Sequence, residues 1–330
     1  MGTCEIVAET DTLTNADPRW HELRRPGLGG SDAPVVAGIP GKRSEYDLWL
    51  EKISESPPDV SDQGDNTPRY WGHRLEPVMA DEFSQRSGYE VVDVPLLLRS
   101  TEHPFMQANL DRMVLGADGT PLGPLEIKTT RFDHEWERDG DILAVPARVQ
   151  AQVMHYLAVT GYERSFVIVL IGGQRAEIAE IERTDNVIAD LIDLEARFWD
   201  LVERRVAPAT DGSASTRRAL QARWKAAEGK VVDLPPVAEF LWAERKRLKA
   251  EIKPLAETVD EIENELLAMC GDAEQANLAG EKLFTWKAGK TCRLDTKALE
   301  KDQPALVASY RTLPPTRRPY WGRTSTEETQ

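Results

Sequence analysis

The stretch Leu125-Glu126-Ile127-Lys128, together with Asp111 upstream of it, determines how the rest of the chain is interpreted. We interpret the stretch as a β-strand. Because successive side chains of a strand point to opposite faces, Glu126 and Lys128 share one face while Ile127 turns into the core. The carboxylate of Glu126 and the ammonium group of Lys128 can therefore act together.

Asp111 is expected to lie beside this strand. It belongs to residues 106–115, a second predicted strand, and residues 116–124 (GADGTPLGP) are typical of a turn between the two. The hairpin would bring two carboxylates and one ammonium group close together. Carboxylate oxygens are ligands that Mg²⁺ or Mn²⁺ prefers, and a neighbouring Lys can activate water or stabilise charge on a phosphate. Glu-x-Lys is more commonly a solvated ion pair, so the motif needs support from the rest of the chain.

The composition is that of a globular protein with an acidic surface. A chain of 330 residues can form one large domain or two smaller ones. The net charge of −15 argues against a nucleic-acid partner, because phosphate binding needs Lys and Arg. Net charge is an average over the surface, however, and an acidic exterior is compatible with a local basic groove.

The cysteines and the hydropathy pattern indicate a cytoplasmic protein. Cys4, Cys270 and Cys292 are far apart and form no C-x-x-C pair, so we expect free thiols and no zinc site. The N-terminus lacks the basic and apolar regions of a signal peptide, and no segment approaches the roughly 18 apolar residues of a membrane span. No membrane partner is expected.

The N-terminal region combines a short helix with a glycine-rich turn. Residues 17–25 are predicted to be helical, with Asp17 as N-cap. Residues 26–38 then read as a turn entering a helix, capped by Ser31 or Asp32, whose free N–H groups suit a phosphate. The turn also resembles the phosphate loop of GHMP-type small-molecule kinases, which leaves a kinase as a rival hypothesis. An ordinary capping turn explains the same residues.

The later elements alternate irregularly between helices and strands, which predicts a mixed α/β core. Predicted helices cover residues 44–52, 70–83, 145–160 and 185–206, and predicted strands cover residues 89–98, 166–171 and 175–181. Glu76 lies beside the apolar stripe of its helix. Gln152 and Tyr156 are one turn apart and share a helix face.

The predicted domain organisation has four parts. Residues 1–16 form a flexible N-terminus, residues 17–208 the main domain, and residues 209–218 a small, polar linker. Residues 219–330 form a mainly helical extension. It includes a helical pair or kinked helix over residues 237–270, a hairpin over residues 276–294, and a basic tail, at Arg317, Arg318, Tyr320, Trp321 and Arg323, suited to nucleic-acid or subunit contact.

Five motifs occur in a fixed order along the main domain. They are residues 20–24 with 27–33, residues 46–52, residues 72–77, residues 109–111 with 125–128, and residues 151–161. In this order they resemble the phage-type exonuclease family that includes lambda exonuclease and the YqaJ-like viral recombinases, within the PD-(D/E)XK nuclease superfamily. The resemblance implies a restriction-endonuclease-like core, with a central mixed sheet flanked by helices.

The resemblance also implies a metal site and its catalytic groups. Asp111, Glu126 and the carbonyl of Ile127 would hold one or two Mg²⁺ or Mn²⁺ ions, with Glu76 completing the set directly or through water. Lys128 would orient or deprotonate the attacking water, and Gln152 would hold the site together.

A second group of residues would contact DNA. The resemblance implies that Arg24 and Ser31 bind a terminal 5′-phosphate, with Asn109 contributing to the same pocket and Tyr156 beside it. Arg25 lies next to Arg24 in the sequence, so either arginine could be the one that binds the phosphate. The chain departs from the family pattern at Leu110, where the superfamily has Pro, and at Met154, where a second Gln is common; Gln150 could supply that contact.

The function implied is a metal-dependent 5′-to-3′ exonuclease that leaves 3′ single-stranded overhangs on linear duplex DNA. Its expected partners are DNA ends, a single-strand annealing protein and further copies of the chain in a ring, possibly a trimer, in the cytoplasm of a phage-carrying bacterium. An inactive DNA-end-binding or scaffold protein is the non-enzymatic alternative. The complete Asp111, Glu126 and Lys128 set argues against it.

Overall fold

A computed structural model describes residues 4–11, 13, 17–54, 67–132, 134–140, 142–224, 229–289, 294–311, 319 and 321. The chain divides into two compact units, Met1–Lys225 and Ala226–Gln330. The strands are β1 (Cys4–Glu9), β2 (Glu90–Asp93), β3 (Leu96–Ser100), β4 (Gln107–Asn109), β5 (Arg112–Leu115), β6 (Pro121–Thr130), β7 (Arg138–Asp139), β8 (Ile142–Leu143), β9 (Arg164–Ile171), β10 (Arg175–Glu182), β11 (Gln275–Leu278) and β12 (Glu281–Thr285). The helices are α1 (Pro18–Arg24), α2 (Ala33–Val36), α3 (Glu45–Ile53), α4 (Pro68–Ser87), α5 (Ala147–Thr160), α6 (Asp185–Glu203), α7 (Ala214–Arg223), α8 (Val237–Cys270), α9 (Thr296–Asp302) and α10 (Pro304–Tyr310).

The first unit is built on a mixed five-stranded sheet in the order β10-β9-β6-β5-β2. Only β6 and β9 run parallel, in a register that places Glu126 beside Val167 and Lys128 beside Val169. Helix α5 lies between these two strands in the chain, as a parallel connection requires. Strand β6 is thus central in the sheet.

Apolar clusters cover both faces of this sheet. On one face, Met79 and Phe83 of α4 pack on Leu125, Ile127 and other residues of β6 and β9. On the other face, the apolar sides of α5 and α6 pack on β9 through a cluster that includes Val153, Leu157, Val167, Val169 and Leu191. The mixed α/β fold class, with a mixed sheet flanked by helices, is confirmed.

Local sequence signals explain most element ends of the first unit. Asp17 caps α1 by accepting a hydrogen bond from the N–H of Arg19 at 2.9 Å, with Pro18 in the first turn. Gly88 and Gly161 end α4 and α5 in the left-handed conformation. The predicted hairpin across Gly172 and Gly173 is confirmed as β9–β10.

Two predicted strands are each divided in the structure. Residues 89–98, predicted as a strand that is broken or lies at an edge at Pro95, form β2 and β3, which separate near Pro95 and join different sheets. Residues 106–115, predicted as one strand, form β4 and β5, which also belong to different sheets. The break leaves Leu110 and Asp111 outside both strands, so the Asp111 backbone is free of the ladder and its side chain can turn toward β6.

The predicted domain boundaries differ from the structure at both ends. Residues 4–9 of the predicted flexible N-terminus form β1, which pairs with β3. Residues 214–218 of the predicted linker belong to α7, which packs on α3: Ser215 Oγ donates to Asp47 Oδ2 at 2.9 Å, and Arg223 Nη1 donates to Tyr46 Oη at 2.6 Å. Small polar residues that resembled a linker therefore serve as a helix cap and interhelical contacts.

The second unit is mainly helical, as predicted. Of the two predicted alternatives, a helical pair and a kinked helix, the structure excludes the pair, because α8 runs through Pro254 as one element of 34 residues. The predicted hairpin is present as β11–β12. Of the predicted basic tail, Trp321 lies with its ring 6.1 Å from that of Trp242, and Arg317, Arg318, Tyr320 and Arg323 lie outside the described residues. No helix in the described part of the chain has the length and apolar character needed to cross a bilayer.

We expect Gly123→Ala to destabilise the first unit by about 2 kcal/mol, the usual cost of overpacking. A Cβ atom at Gly123 would lie 2.1 Å from the backbone oxygen of Arg164, beside the start of β9. Chemical denaturation of the purified variant would measure the change in the free energy of unfolding.

Gly72→Ala is the matched control, because a Cβ atom at Gly72 would meet no atom closer than Thr129 Oγ1 at 3.8 Å. It lies within α4, where Ala is favoured over Gly, so this variant should gain up to about 1 kcal/mol. Equal losses in the two variants would contradict the steric argument.

Candidate active site

The predicted carboxylate pair forms where β5 begins beside β6. Arg112 pairs with Leu125 in the antiparallel ladder, so Asp111 comes next to Glu126. The Asp111 carboxylate accepts a hydrogen bond from the N–H of Ile127, with 2.8 Å between Oδ2 and N. Lys128 Nζ donates to Glu126 Oε1 on the same strand face. The structure therefore brings Asp111, Glu126 and Lys128 together as the sequence predicts.

Helix α5 adds Gln152 and Tyr156 to this group. Gln152 Nε2 donates to Glu126 Oε1 at 2.8 Å, and Gln152 Oε1 accepts from Lys128 Nζ at 2.9 Å. The same Nε2 lies 2.8 Å from Tyr156 Oη, one turn further along the helix. Gln152 thus fixes the relative positions of the acidic and the basic side chain.

One buried carboxylate oxygen in this group has no hydrogen-bond partner among the described residues. Glu126 is 2% exposed, and its Oε2 atom is buried without a hydrogen bond. An unpaired buried carboxylate oxygen is costly, so this atom is available to a positively charged ligand. Asp111 and Glu126 supply hard oxygen donors that fit Mg²⁺ or Mn²⁺.

Glu76 lies near this pair without joining it directly. Its side chain is half-buried on α4, and its Oε1 atom lies 2.7 Å from Nδ1 of His73. The charge of Glu76 acts on Asp111, whose pKa it raises. Among the described residues, no group of three or more His, Cys, Asp or Glu side chains is assembled to hold a metal ion. Glu76 would therefore need to move, or to act through water, to complete the set.

Burial and neighbouring charges shift the pKa values of Asp111 and Lys128. Burial, followed by the charge of Glu126, holds the pKa of Asp111 well above its ordinary value. Burial alone would lower the pKa of Lys128, but the carboxylates of Glu126 and Asp111 outweigh it and raise that pKa. Lys128 is therefore an ammonium group, which suits it to orient water or stabilise negative charge.

The predicted phosphate pocket places Arg24 beside Ser31. Arg24 Nη2 donates to Ser31 Oγ at 3.2 Å, and its guanidinium group lies over the ring of Trp20. Ser31 is exposed. Gly30 is required here because a Cβ atom would lie 2.4 Å from Cε1 of Tyr156. This contact joins the glycine-rich turn to the helix that carries Gln152.

Arg25 and Asn109 have structural contacts that distinguish them from Arg24. The backbone N–H of Arg25 donates to His21 O and ends α1, while the side chain is half-buried. Asn109 Nδ2 donates to Leu96 O at 3.2 Å, within the β3–β4 pair. The donors of Asn109 are thus partly engaged in the sheet.

A buried ion-pair cluster beneath the glycine-rich turn was missed by sequence reasoning. Lys52 Nζ lies 2.9 Å from Asp32 Oδ2 and donates to Gly27 O at 2.7 Å. Arg43 Nη1 lies 3.2 Å from the other Asp32 oxygen, and the N–H of Gly29 donates to Asp32 at 3.1 Å. Burial would raise the pKa of Asp32, but Lys52 and Arg43 hold it well below its ordinary value.

The sequence signal for this cluster was Lys52, near the end of a predicted helix that is otherwise rich in apolar residues.

A second buried pair supports α5 from behind and was also missed. His155 and Glu195 are both fully buried, with 2.8 Å between Nδ1 and Oε1. His155 Nε2 lies 2.8 Å from the carbonyl oxygen of Gln107, so this nitrogen carries a proton. Burial would lower the pKa of His155, but Glu195 raises it above its ordinary value. The pair links α5 to α6 and β4.

Comparison with known proteins identifies the family of the chain. The sequence matches the YqaJ-like viral recombinase domain over residues 19–163, a range that contains every predicted site residue. The "Uncharacterized protein YqaJ" of Bacillus subtilis (strain 168) is 34% identical over 305 residues, which cover 91% of each protein. The chain belongs to the YqaJ-like viral recombinase family. With 305 matched residues, the YqaJ relative also spans part of the second unit.

Solved structures with some similarity to this family member include exonucleases. The alkaline exonuclease LHK-Exo from Laribacter hongkongensis has 18% identity and a TM-score of 0.43, over 58% of this chain and 94% of that chain. A phage-related exonuclease from Haemophilus somnus 129PT has 9% identity and a TM-score of 0.40, over 55% and 96%. The sequence identities and TM-scores are too low to transfer a function, so the function of this YqaJ family member depends on its own residues.

We expect Lys52→Met to destabilise the first unit by about 3 kcal/mol, because it removes the ammonium group that lies 2.9 Å from the buried carboxylate of Asp32. The loss of unfolding free energy should be full at neutral pH and should become smaller in acid. The ion pairs lower the pKa of Asp32, and they stabilise the fold only while this carboxylate is ionised. Lys42→Met, at an exposed position, is the control and should change little. If Lys52→Met and Lys42→Met changed the free energy of unfolding by equal, small amounts, the ion-pair cluster would not stabilise the glycine-rich turn.

We expect Asp111→Asn to stabilise the metal-free first unit increasingly as the pH rises. Because the pKa of Asp111 is raised in the folded state, the free energy of unfolding falls as the pH rises from the ordinary pKa of Asp to the raised one. The amide of Asn does not titrate, so it removes this loss, and its oxygen can still accept the hydrogen bond from the N–H of Ile127. Thermal unfolding in EDTA at several pH values measures the effect. Asp118→Asn is the control, since the hydrogen bonds of Asp118 lower its pKa. A pH-independent difference between Asp111→Asn and the unmodified chain would contradict the assignment.

Proposed function

We propose that the chain is a metal-dependent 5′-to-3′ exonuclease of the PD-(D/E)XK type, which degrades one strand of linear duplex DNA and leaves 3′ overhangs. The observation that carries the proposal is the network of Asp111, Glu126, Lys128 and Gln152, with a buried carboxylate oxygen of Glu126 left for a ligand. Two carboxylates beside one ammonium group are the groups that phosphodiester hydrolysis needs.

Asp111, Glu126 and the carbonyl of Ile127 would hold one or two Mg²⁺ or Mn²⁺ ions, with Glu76 reaching them directly or through water. When bound, the metal would neutralise charge on the phosphate and lower the pKa of its water. Glu126 contributes through the oxygen that Gln152 and Lys128 leave unbound. Gln152 keeps the other oxygen of Glu126 turned toward the helix.

Lys128 would orient the attacking water and stabilise the charge that develops on the phosphate. Its raised pKa keeps the ammonium form in the metal-free protein, which favours this role over that of a general base. Gln152 limits where the ammonium group of Lys128 can lie, because Gln152 Oε1 accepts a hydrogen bond from Lys128 Nζ at 2.9 Å. The two residues together would align water with the scissile bond.

Arg24 and Ser31 would bind the terminal 5′-phosphate of a DNA end. A guanidinium group and a hydroxyl group within 3.2 Å of each other can both donate to one phosphate. Such contacts position a strand without reading its sequence. Gly30 packs on Tyr156, so the phosphate pocket and the catalytic network are coupled by direct packing.

The glycine-rich turn does not favour the kinase hypothesis. A kinase phosphate loop offers free N–H groups to ATP, whereas the N–H of Gly29 donates to the buried carboxylate of Asp32. The α2 helix that follows has only four residues. An inactive end-binding protein stays as the second candidate, and a preserved catalytic set argues against it.

The partners of this reaction follow from its product. A 3′ overhang is the substrate of a single-strand annealing protein, so we propose that the chain supplies such a protein during phage-type recombination in the bacterial cytoplasm. A ring of several copies around the duplex would place Lys and Arg toward DNA and acidic residues outward. This arrangement would reconcile DNA binding with the net charge of −15.

The proposal is tested with linear duplex DNA that carries either 5′-phosphate or 5′-hydroxyl ends, in Mg²⁺ or in EDTA. We expect one strand to be lost from phosphorylated ends in Mg²⁺ only. Lys128→Ala should lower the rate by at least about a hundredfold, the scale of removing one charged group from a transition state. Arg24→Ala should instead remove the preference for phosphorylated ends.

Two results would decide against the proposal. Intact DNA under every condition, with the protein folded, would favour the end-binding alternative. Equal activity in Lys128→Ala and the unmodified chain would show that hydrolysis occurs elsewhere. Lys42→Ala, an exposed substitution far along the chain from the network, is the matched control for loss of a positive charge.

A further inference from the structure

Helix α8 of the second unit carries an apolar stripe that no described residue covers. The helix has 34 residues and none of them is buried. At 1.5 Å per residue it is about 51 Å long. The exposed apolar side chains of the stripe are Leu241, Leu248, Ile252, Leu255, Val259, Ile262, Leu266 and Met269. From Leu248 to Met269 the stripe is unbroken over about 32 Å. A continuous apolar surface of this kind is a mark of an interaction site.

The spacing of the stripe identifies the kind of partner. From Leu248 to Met269 it advances by strictly alternating steps of four and three residues. This is the 3.5-residue period of a coiled coil, narrower than the apolar face that a helix turns toward a globular core. The a positions are Ile252, Val259 and Leu266, and the d positions are Leu248, Leu255, Ile262 and Met269. Knobs-into-holes packing needs a second helix with the same repeat, which α8 of another copy provides.

We infer that α8 pairs with α8 of a second copy of the chain as an antiparallel two-stranded coiled coil. The direction follows from charge. Residues 237–253 contain five Lys or Arg against three Glu, whereas residues 254–270 contain five Asp or Glu and no basic residue. A parallel pair would align the two acidic halves, while an antiparallel pair places each acidic half against a basic half.

The heptad positions then fix the register. Leu255 of one helix packs on Val259 of the second copy, Ile252 packs on Ile262, and Leu248 packs on Leu266. All three layers are apolar, and the two-fold axis repeats each of them.

Charged residues beside the seam agree with this register. Lys249, at an e position, faces Glu263 of the second copy, and the two-fold axis forms this pair twice. Glu251 meets Glu265 across the other side of the seam. Its charge is offset within its own helix, because Arg247 pairs with Glu251 and, at 2.6 Å, with Glu244. The attractive pairs therefore decide the orientation.

The first test compares the mass of the full chain with that of two double variants by sedimentation or light scattering at micromolar concentration. Ile252→Glu/Val259→Glu places two charges in the seam and should lower the mass, because α8 is the contact that joins the two copies. Ala250→Glu/Asn264→Glu adds the same residues on the outer face and should leave the mass unchanged. All four positions are exposed, so helical content measured by circular dichroism should not change. An equal mass for the unmodified chain and the seam variant would overturn the proposal.

The second test examines the orientation. Lys249→Glu and Glu263→Lys should each weaken the dimer about tenfold, because each replaces two attractive pairs by two repulsive ones. The double variant Lys249→Glu/Glu263→Lys should restore the affinity. These two positions are fourteen residues apart and cannot meet within one helix, so restoration requires an antiparallel second copy. Lack of restoration would overturn the antiparallel arrangement, in which case Lys249 would face Glu244 of a parallel partner.

Discussion

The repulsion between two carboxylates at the start of β5 is the constraint on which the rest of the site depends. Asp111 and Glu126 lie side by side, and burial, followed by the charge of Glu126, raises the pKa of Asp111. The N–H of Ile127, the ammonium group of Lys128 and the amide of Gln152 each reduce the cost of this repulsion. These groups come from β6 and α5, so the site exists only where both elements pack as they do. A divalent cation would remove the remaining cost, which makes the same repulsion a source of metal affinity.

The sequence contains enough to predict the central hairpin and the helix that completes the site, because their signals are local. The alternation in Glu126-Ile127-Lys128 dictates which side chains share a face, and the spacing of Gln152 and Tyr156 dictates a common helix face. Caps such as Asp17 and Gly161 act on their own helices. Predictions of this kind need no knowledge of distant residues, and the structure confirms them.

The elements that were not predicted depend on partners far away in the chain. Strand β1 lies far from β3 in the chain and becomes a strand by pairing with it, and α7 looks like a linker until it meets α3. The buried charges of Lys52 and His155 are similar cases. Each is acceptable inside the fold only because an opposite charge arrives from another element, and no local pattern announces such a pair. Charged residues inside otherwise apolar helices are therefore the places where sequence reasoning fails.

The parallel pairing of β6 with β9 also has a kinetic consequence. Strand β6 can pair with β5 through a short turn, but it gains its second neighbour only after a long crossover that includes α5. Non-local pairing of this kind is slow to form because the chain must close a large loop first. During synthesis, the hairpin that holds both carboxylates emerges before the helix that holds Gln152. Assembly of the reactive centre is thus a late step of folding, and an incomplete chain would carry Asp111, Glu126 and Lys128 without the amide of Gln152 that fixes their positions.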